Sequence, residues 1–210
     1  MKIGIDISQV VYGTGVANYT QNLAKNLLEI DKKNQYVLFG SSLRSRKKLK
    51  DFAKSLEKFE NFEFKIAPYP PMILEFLWNR LHLYPIEKFI GEVDVFHSSD
   101  WTQPPTNSNT KKVTTVHDLI PFLFPASVHP KIMAAQKRRL SRVKKEVDLI
   151  ITDSETTKDD LIKFLNIDLE KIRVIYLASA PEFKPQDDQK VEEVLQKYKI
   201  KKPYILSVAT

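Results

Sequence analysis

The sequence has no cysteine, which removes disulfide staples, thiolate metal sites and a cysteine nucleophile together. It has no low-complexity tract either, so most of the chain is expected to fold. Long apolar runs are also missing. The opening Met-Lys-Ile-Gly-Ile-Asp-Ile reads as a strand, and its apolar part is far too short for a signal peptide. Residues 70–90 are unusually apolar and aromatic, but Glu75, Arg80, Glu87 and Lys88, with Pro85 among them, argue against a transmembrane helix. That stretch suits a core helix pair, the wall of a binding site or a membrane-facing patch. A cytoplasmic location follows as the default expectation.

Several chemistries are absent by pattern. His82, His97, His117 and His129 show no metal-ligand spacing of the His-Glu-x-x-His kind, and no metal is expected. No Gly-x-Ser-x-Gly elbow marks a hydrolase. The first glycines are not followed by Gly-Lys-Ser/Thr, so they form no P-loop. A dinucleotide fingerprint fits badly too, because Asn18 occupies its third glycine position and no acidic residue closes the second predicted strand.

What is present is an ordinary globular composition, 42% hydrophobic and 28% charged, over 210 residues. The net charge of +7 favours anionic partners such as nucleotide phosphates, nucleic acid or an acidic membrane leaflet. The basic residues gather at 44–48 and 137–145, both readable as solvated helix faces. No nucleic-acid recognition motif accompanies them, so nucleic acid is not expected as a partner.

Short apolar runs alternate with helix-period segments along the chain. Strands are predicted at residues 2–7, 35–40, 62–67, 93–98, 111–117, 149–152 and 172–177. Several are continuously apolar, as strands covered on both faces must be. Helices are predicted at 16–30, with Val16, Leu23, Leu27 and Ile30 on one face, and at 43–59 and 129–147. Ser154 is a good N-cap candidate for another helix. This alternation predicts an α/β fold, a doubly wound, mainly parallel Rossmann-like sheet. After a polar, proline-bearing segment and a short helix at 191–198, Tyr204-Ile205-Leu206-Ser207-Val208 reads as a fresh strand.

Four loops collect polar groups at strand carboxyl ends, where open α/β sheets bind ligands. The first holds Tyr12, Gly13, Thr14 and Gly15 ahead of a helix, a place where backbone amides attract phosphate. By itself it is equally a tight turn. The second places His117 and Asp118 after Val113-Thr114-Thr115-Val116, and a histidine there can donate to a sugar hydroxyl or a developing charge. The third holds His97, Ser98, Ser99, Asp100 and Trp101, and the fourth joins Thr152 and Asp153 to Ser154, a cap first and a ligand contact second.

The succession of a Gly-Thr-Gly loop, Val-Phe-His-Ser-Ser, Thr-Val-His-Asp-Leu-Ile-Pro, Asp-Leu-Ile-Ile-Thr-Asp-Ser and Lys-Ile-Arg-Val-Ile-Tyr resembles the N-terminal domain of family 4 retaining glycosyltransferases, mannosyltransferase-like in type. The resemblance implies the N-terminal half of a GT-B fold, residues 1–200 being the acceptor-side domain and 201–210 the start of a missing donor-binding domain. It implies a nucleotide sugar as substrate, with no metal and no other cofactor, and a glycan or lipid-linked acceptor. By the same resemblance Gly13, Thr14 and Gly15 approach the donor diphosphate, and His117 contacts the donor sugar near the reacting centre. Tyr12, His97, Asp100, Asp118 and Ser154 line the acceptor side. Contact with an anionic membrane at its inner face is a further expectation, and the fragment alone is expected to be inactive. Where the family usually carries an Asn-Gly-Val-Asp-like turn, this chain reads Ala178-Ser179-Ala180-Pro181-Glu182-Phe183. The alternative is a non-catalytic sugar- or phosphate-binding module, or a subunit that pairs with a separate donor domain.

Overall fold

The apolar runs become strands that are covered on both sides. In the computed structural model, which describes residues 1–180 and 183–207, they form one seven-stranded sheet. Its strands are β1 (Lys2–Asp6), β2 (Gln35–Ser41), β3 (Phe62–Ala67), β4 (Val95–Ser98), β5 (Lys111–Val116), β6 (Leu149–Thr152) and β7 (Ile172–Val174). Every pairing is parallel, and the order is β3-β2-β1-β4-β5-β6-β7. In β2 every residue after Gln35 is buried. Tyr36 and Leu38 enter one core layer with Ile5 and Leu49, while Val37 and Phe39 enter the other with Trp78 and Phe96. This is the period-two alternation of a strand sandwiched between helices.

The helices are α1 (Gly15–Ile30), α2 (Arg46–Ser55), α3 (Pro71–Leu74), α4 (Glu87–Ile90), α5 (Ile120–Leu123), α6 (Pro130–Glu146), α7 (Glu155–Leu165) and α8 (Asp188–Tyr198). The buried stripe of α1 corrects the sequence reading. It consists of Ala17, Thr20, Ala24 and Leu28, and Ile30 lies 76% exposed. Small residues let the helix sit close on the sheet, and the Thr20 hydroxyl satisfies itself on the Val16 carbonyl at 2.8 Å. A second correction concerns the basic face of α6, which is not wholly solvated: Arg139 is 2% exposed.

The segment 70–90 serves as core and as wall. α3 runs on into a π-helical stretch, Glu75–Leu81, whose Trp78 is fully buried and donates its indole N–H to the Tyr84 carbonyl at 3.0 Å. The wide turn also buries Asn79, whose amide donates to the Trp101 carbonyl at 3.0 Å and accepts from the Gln103 N–H at 2.8 Å. A π-turn thus fixes the loop after β4. The other side of the segment leaves Met72, Ile73 and Phe76 exposed. No helix among the described residues is long and apolar enough to cross a membrane.

From β1 the chain winds outward to β3, then returns to lay β4 on the other side of β1. That reversal is a topological switch point, and it opens a crevice at the carboxyl ends of β1 and β4. The chain divides into two compact units, Met1–Tyr176 and Leu177–Thr210. In the second, α8 is capped by Asp187, whose carboxylate accepts from the Lys190 N–H at 2.9 Å. Residues 204–207 form no strand, contrary to the sequence reading. Strand character comes from ladder hydrogen bonds rather than from apolar composition alone. Val208, the last residue of that expected strand, and Pro181 and Glu182 of the variant turn lie outside the described residues. The seventh strand likewise ends at Val174, and Ile175, Tyr176 and Leu177 are exposed.

Candidate functional site

Four loops at the carboxyl ends of β1, β4, β5 and β6 build the crevice. After β1, a 3-10 turn over Ser8–Val11 carries the chain to Tyr12 and the glycines. Gly13 has φ +66°, a left-handed conformation that suits glycine. A Cβ added at Gly13 or Gly15 would meet nothing within 4 Å, so the glycines leave open space over the start of α1. Thr14 is the N-cap of that helix, its hydroxyl accepting from the Ala17 N–H at 3.3 Å. The other amides of the first turn form the positive end of a 16-residue helix.

His117, just beyond β5, is held from three sides. Its Nδ1 lies 3.0 Å from Asp153 Oδ2, and its carbonyl accepts from the Thr157 hydroxyl at 2.9 Å. Its ring meets the Tyr19 ring edge-on at 4.8 Å between centroids. Tyr19 is itself fixed by a 2.9 Å hydrogen bond between its hydroxyl and Thr115 Oγ1. Ser154 is the N-cap of α7, accepting from the Thr157 N–H at 3.1 Å, and so sets the position of the residue that grips the His117 backbone.

A cavity of about 70 Å³ lies against His117. Asp100, Asp118, Gln136 and Arg139 supply its polar wall, and Val16 and Phe122 part of its apolar one. Arg139 comes from α6 and donates through Nη2 to Thr114 Oγ1 at 2.8 Å and to the Thr115 carbonyl at 2.9 Å. Its Nε has no partner among the described residues, and neither has Asp100 Oδ1. Burial pushes the guanidinium down to about 10, with the Asp100 charge opposing. Gln136 donates to the Asp100 backbone carbonyl at 3.0 Å, tying α6 to the loop after β4. Asp118 folds back to accept from the Ile120 N–H at 2.9 Å, an Asx turn that starts α5.

A larger chamber of about 800 Å³ adjoins the same rim. Its walls are largely apolar, formed by Tyr12, Pro70, Pro71, Met72, Trp101 and Ile132. Lys131, Arg138 and Glu75 add charge, and Arg138 Nε sits 2.7 Å from Glu75 Oε1. Tyr12 and Trp101 thus wall the chamber, whereas Asp100, His117 and Asp118 share the smaller cavity.

Two further titrating groups sit below the crevice. His97 accepts or donates through Nε2 at 3.0 Å to Thr115 Oγ1 and lines neither cavity. Burial pushes the half-buried ring down to about 4, with the charges of Arg139 and His117 adding to the effect. Asp6, at the end of β1, is raised from its ordinary value by burial, against hydrogen bonds from Ser8 and Ser99.

The loops named from the sequence therefore converge on one rim. The sequence reading passed over Arg139, Gln136 and Asp153. Arg139 and Gln136 were hidden in a helix that reads as basic and solvated. Asp153 stood in a quoted stretch, but its partner lies 36 residues away. Among the described residues no group of three or more His, Asp or Glu could hold a metal ion.

Comparison with known proteins bears on the fold and the family. Residues 13–179 match the Glycosyltransferase Family 4 domain. No curated protein matches the chain. Among solved structures, a glycosyltransferase from Rickettsia africae ESF-5 is 17% identical with a TM-score of 0.50, over 96% of this chain and 50% of that one. Anabaena HepE in complex with UDP-glucose is 14% identical with a TM-score of 0.53, over 95% and 50%. Arabidopsis thaliana UGT89C1 complexed with UDP is 13% identical with a TM-score of 0.52, over 94% and 57%. At these identities the likeness shows a shared fold, the Rossmann-like N-terminal half of a GT-B glycosyltransferase. The chain spans about half the length of the structures it matches. With well over half its residues inside that domain match, the chain belongs to glycosyltransferase family 4.

Proposed function

We propose that this chain supplies the acceptor-facing half of a site that transfers a hexosyl group, mannose-like in type, from a nucleotide sugar with retention. The observation that carries this reading is His117, clamped by Asp153, Thr157 and Tyr19 against a polar cavity at the sheet switch point. A hexose hydroxyl fits such a wall of carboxylate, guanidinium and imidazole. The open amides at Gly13, Thr14 and Gly15 suit the diphosphate, whose leaving charge they would help to stabilise. HepE and UGT89C1 were each solved with UDP, so a uridine nucleotide sugar is the first donor to try. The nucleotide sugar is a substrate, and the reading calls for no metal or other cofactor.

The apolar chamber favours a lipid-linked glycan as acceptor, its polar end at His117 and its lipid-proximal part against Trp101 and Met72. Exposed Met72, Ile73 and Phe76, with Arg80 against the Phe76 ring, suit contact with an anionic membrane, and the reading puts that contact at its cytoplasmic face. The basic clusters then face lipid rather than nucleic acid.

The test is transfer from a labelled nucleotide sugar by the protein that carries this chain together with a donor-binding half. His117→Ala is expected to lower kcat by roughly 100-fold or more. The 210-residue chain alone is expected to show no transfer, because half of the electrostatic site is contributed elsewhere. Unchanged turnover in the His117 variant would remove that residue from the chemistry. A protein that binds acceptor glycan but never transfers would instead be a sugar-binding module.

A further inference from the structure

A neutral imidazole has one N–H and one lone pair, and a carboxylate only accepts. His117 Nδ1 lies 3.0 Å from Asp153 Oδ2, so the proton of the neutral ring must sit on Nδ1. The two side chains are 15% and 19% exposed, which takes the pair largely out of competing water. This separates it from a surface ion pair, whose geometry solvent and entropy would blur. Neither partner has much room to turn. Asp153 immediately precedes the Ser154 cap of α7, and the Thr157 hydroxyl of the same helix holds the His117 carbonyl at 2.9 Å. The ring is buttressed by Tyr19, which Thr115 anchors in turn.

We propose that Asp153 is a positioning residue: it fixes the Nδ1–H tautomer of His117, so that Nε2 meets the substrate as a lone pair. His117 then accepts a hydrogen bond from a sugar hydroxyl and does not donate to an oxygen that lacks a proton. The ligand group it selects is a hydroxyl rather than a carbonyl, an ether oxygen or a phosphate oxygen. The inference rests on the reading that His117 faces the transferred or accepting sugar, but the tautomer itself can be measured without substrate.

The chain contains four histidines, so ring-¹⁵N labelling gives a spectrum that four single substitutions assign. At alkaline pH, where imidazoles are neutral, the His117 signals are expected to show a protonated Nδ1 and an unprotonated Nε2. Asp153→Ala is expected to shift them toward the opposite tautomer. Thr157→Val removes the hydroxyl that holds the His117 backbone and is expected to leave the tautomer in place. A wild-type spectrum dominated by Nε2–H, or one unmoved by Asp153→Ala, would overturn the proposal. Asp153→Leu keeps the side-chain bulk and offers no acceptor should the alanine variant fail to fold, and its tautomer ratio is read in the same way.

In the protein paired with a donor-binding half, Asp153→Ala is expected to lower kcat by roughly 10–100-fold, within the loss from His117→Ala. It should cost nothing further once His117 is already alanine. If His117→Ala leaves transfer intact while Asp153→Ala still moves the tautomer, the functional reading fails and the positioning role stands. If His117→Ala abolishes transfer and Asp153→Ala changes neither rate nor spectrum, Asp153 is only structural.

Discussion

Acidification is expected to weaken this fold through His97 before most of its carboxylates are involved. Burial holds the half-buried ring down at about 4, against about 6.5 in an unfolded chain. The unfolded state therefore binds a proton over a window in which the folded state does not. For a histidine with a depressed folded value, stability is fully present above the unfolded value and is lost as pH falls between the two. Between about pH 7.5 and about pH 5 the loss from this one group comes to about 2 kcal/mol. The assay is urea unfolding across that range, comparing wild type with His97→Gln, which keeps a polar group near Thr115 and cannot titrate there. The carboxylates and other histidines are common to both proteins, so the difference in slope isolates His97. The variant should lose about 2 kcal/mol less on acidification. Parallel curves would refute the reasoning and would mean that water reaches the ring freely.

Two other substitutions test the frame under the crevice. At Gly40 an added Cβ would lie 2.9 and 3.1 Å from the two methyls of buried Leu49. Gly40→Ala should therefore cost about 1–3 kcal/mol by overpacking. In the Leu49→Ala background, itself costing about 2–5 kcal/mol, the added loss should vanish in a denaturation cycle. Additive losses would show strain of another origin. Asp6 is raised by burial, so its charged form weighs against the fold at neutral pH. The wild type should gain stability as pH falls through the folded value toward the unfolded one, and below the latter this gain is kept but grows no further. Asp6→Asn keeps an acceptor for the Ser8 N–H, now 2.9 Å from Oδ1, and should be more stable near neutrality. A variant less stable than wild type would contradict this.

The amino-acid sequence by itself determined the class of fold and most of its elements. Runs such as Tyr36-Val37-Leu38-Phe39 have only one comfortable place, a strand covered on both faces, and Ser154 could be read as a cap because capping is local. The sequence also put Gly13, Asp100 and His117 at strand carboxyl ends, and hence at one rim once a parallel sheet is assumed. It did not determine which face of α1 is buried. The large apolar residues suggested a stripe ending in Leu27 and Ile30; Leu27 does pack against the core, but Ile30 is exposed and close packing on the sheet selected Ala17 and Ala24 as the fully buried positions. Nor could it separate Arg139 from its solvated neighbours, because burial of a guanidinium depends on Thr114 and Thr115 being waiting on β5.

Only the tertiary structure decided the site. The strand order reverses between β1 and β4 through long-range pairing that no local signal encodes. The grip of Asp153 on His117 joins the ends of two parallel strands, β5 and β6, which α6 separates along the chain. The apolar chamber exists because a π-turn carries segment 70–81 back over the loop after β4. Local chemistry fixes what each short segment becomes, whereas a ligand site needs side chains brought together from distant segments, and only the closed sheet supplies that proximity.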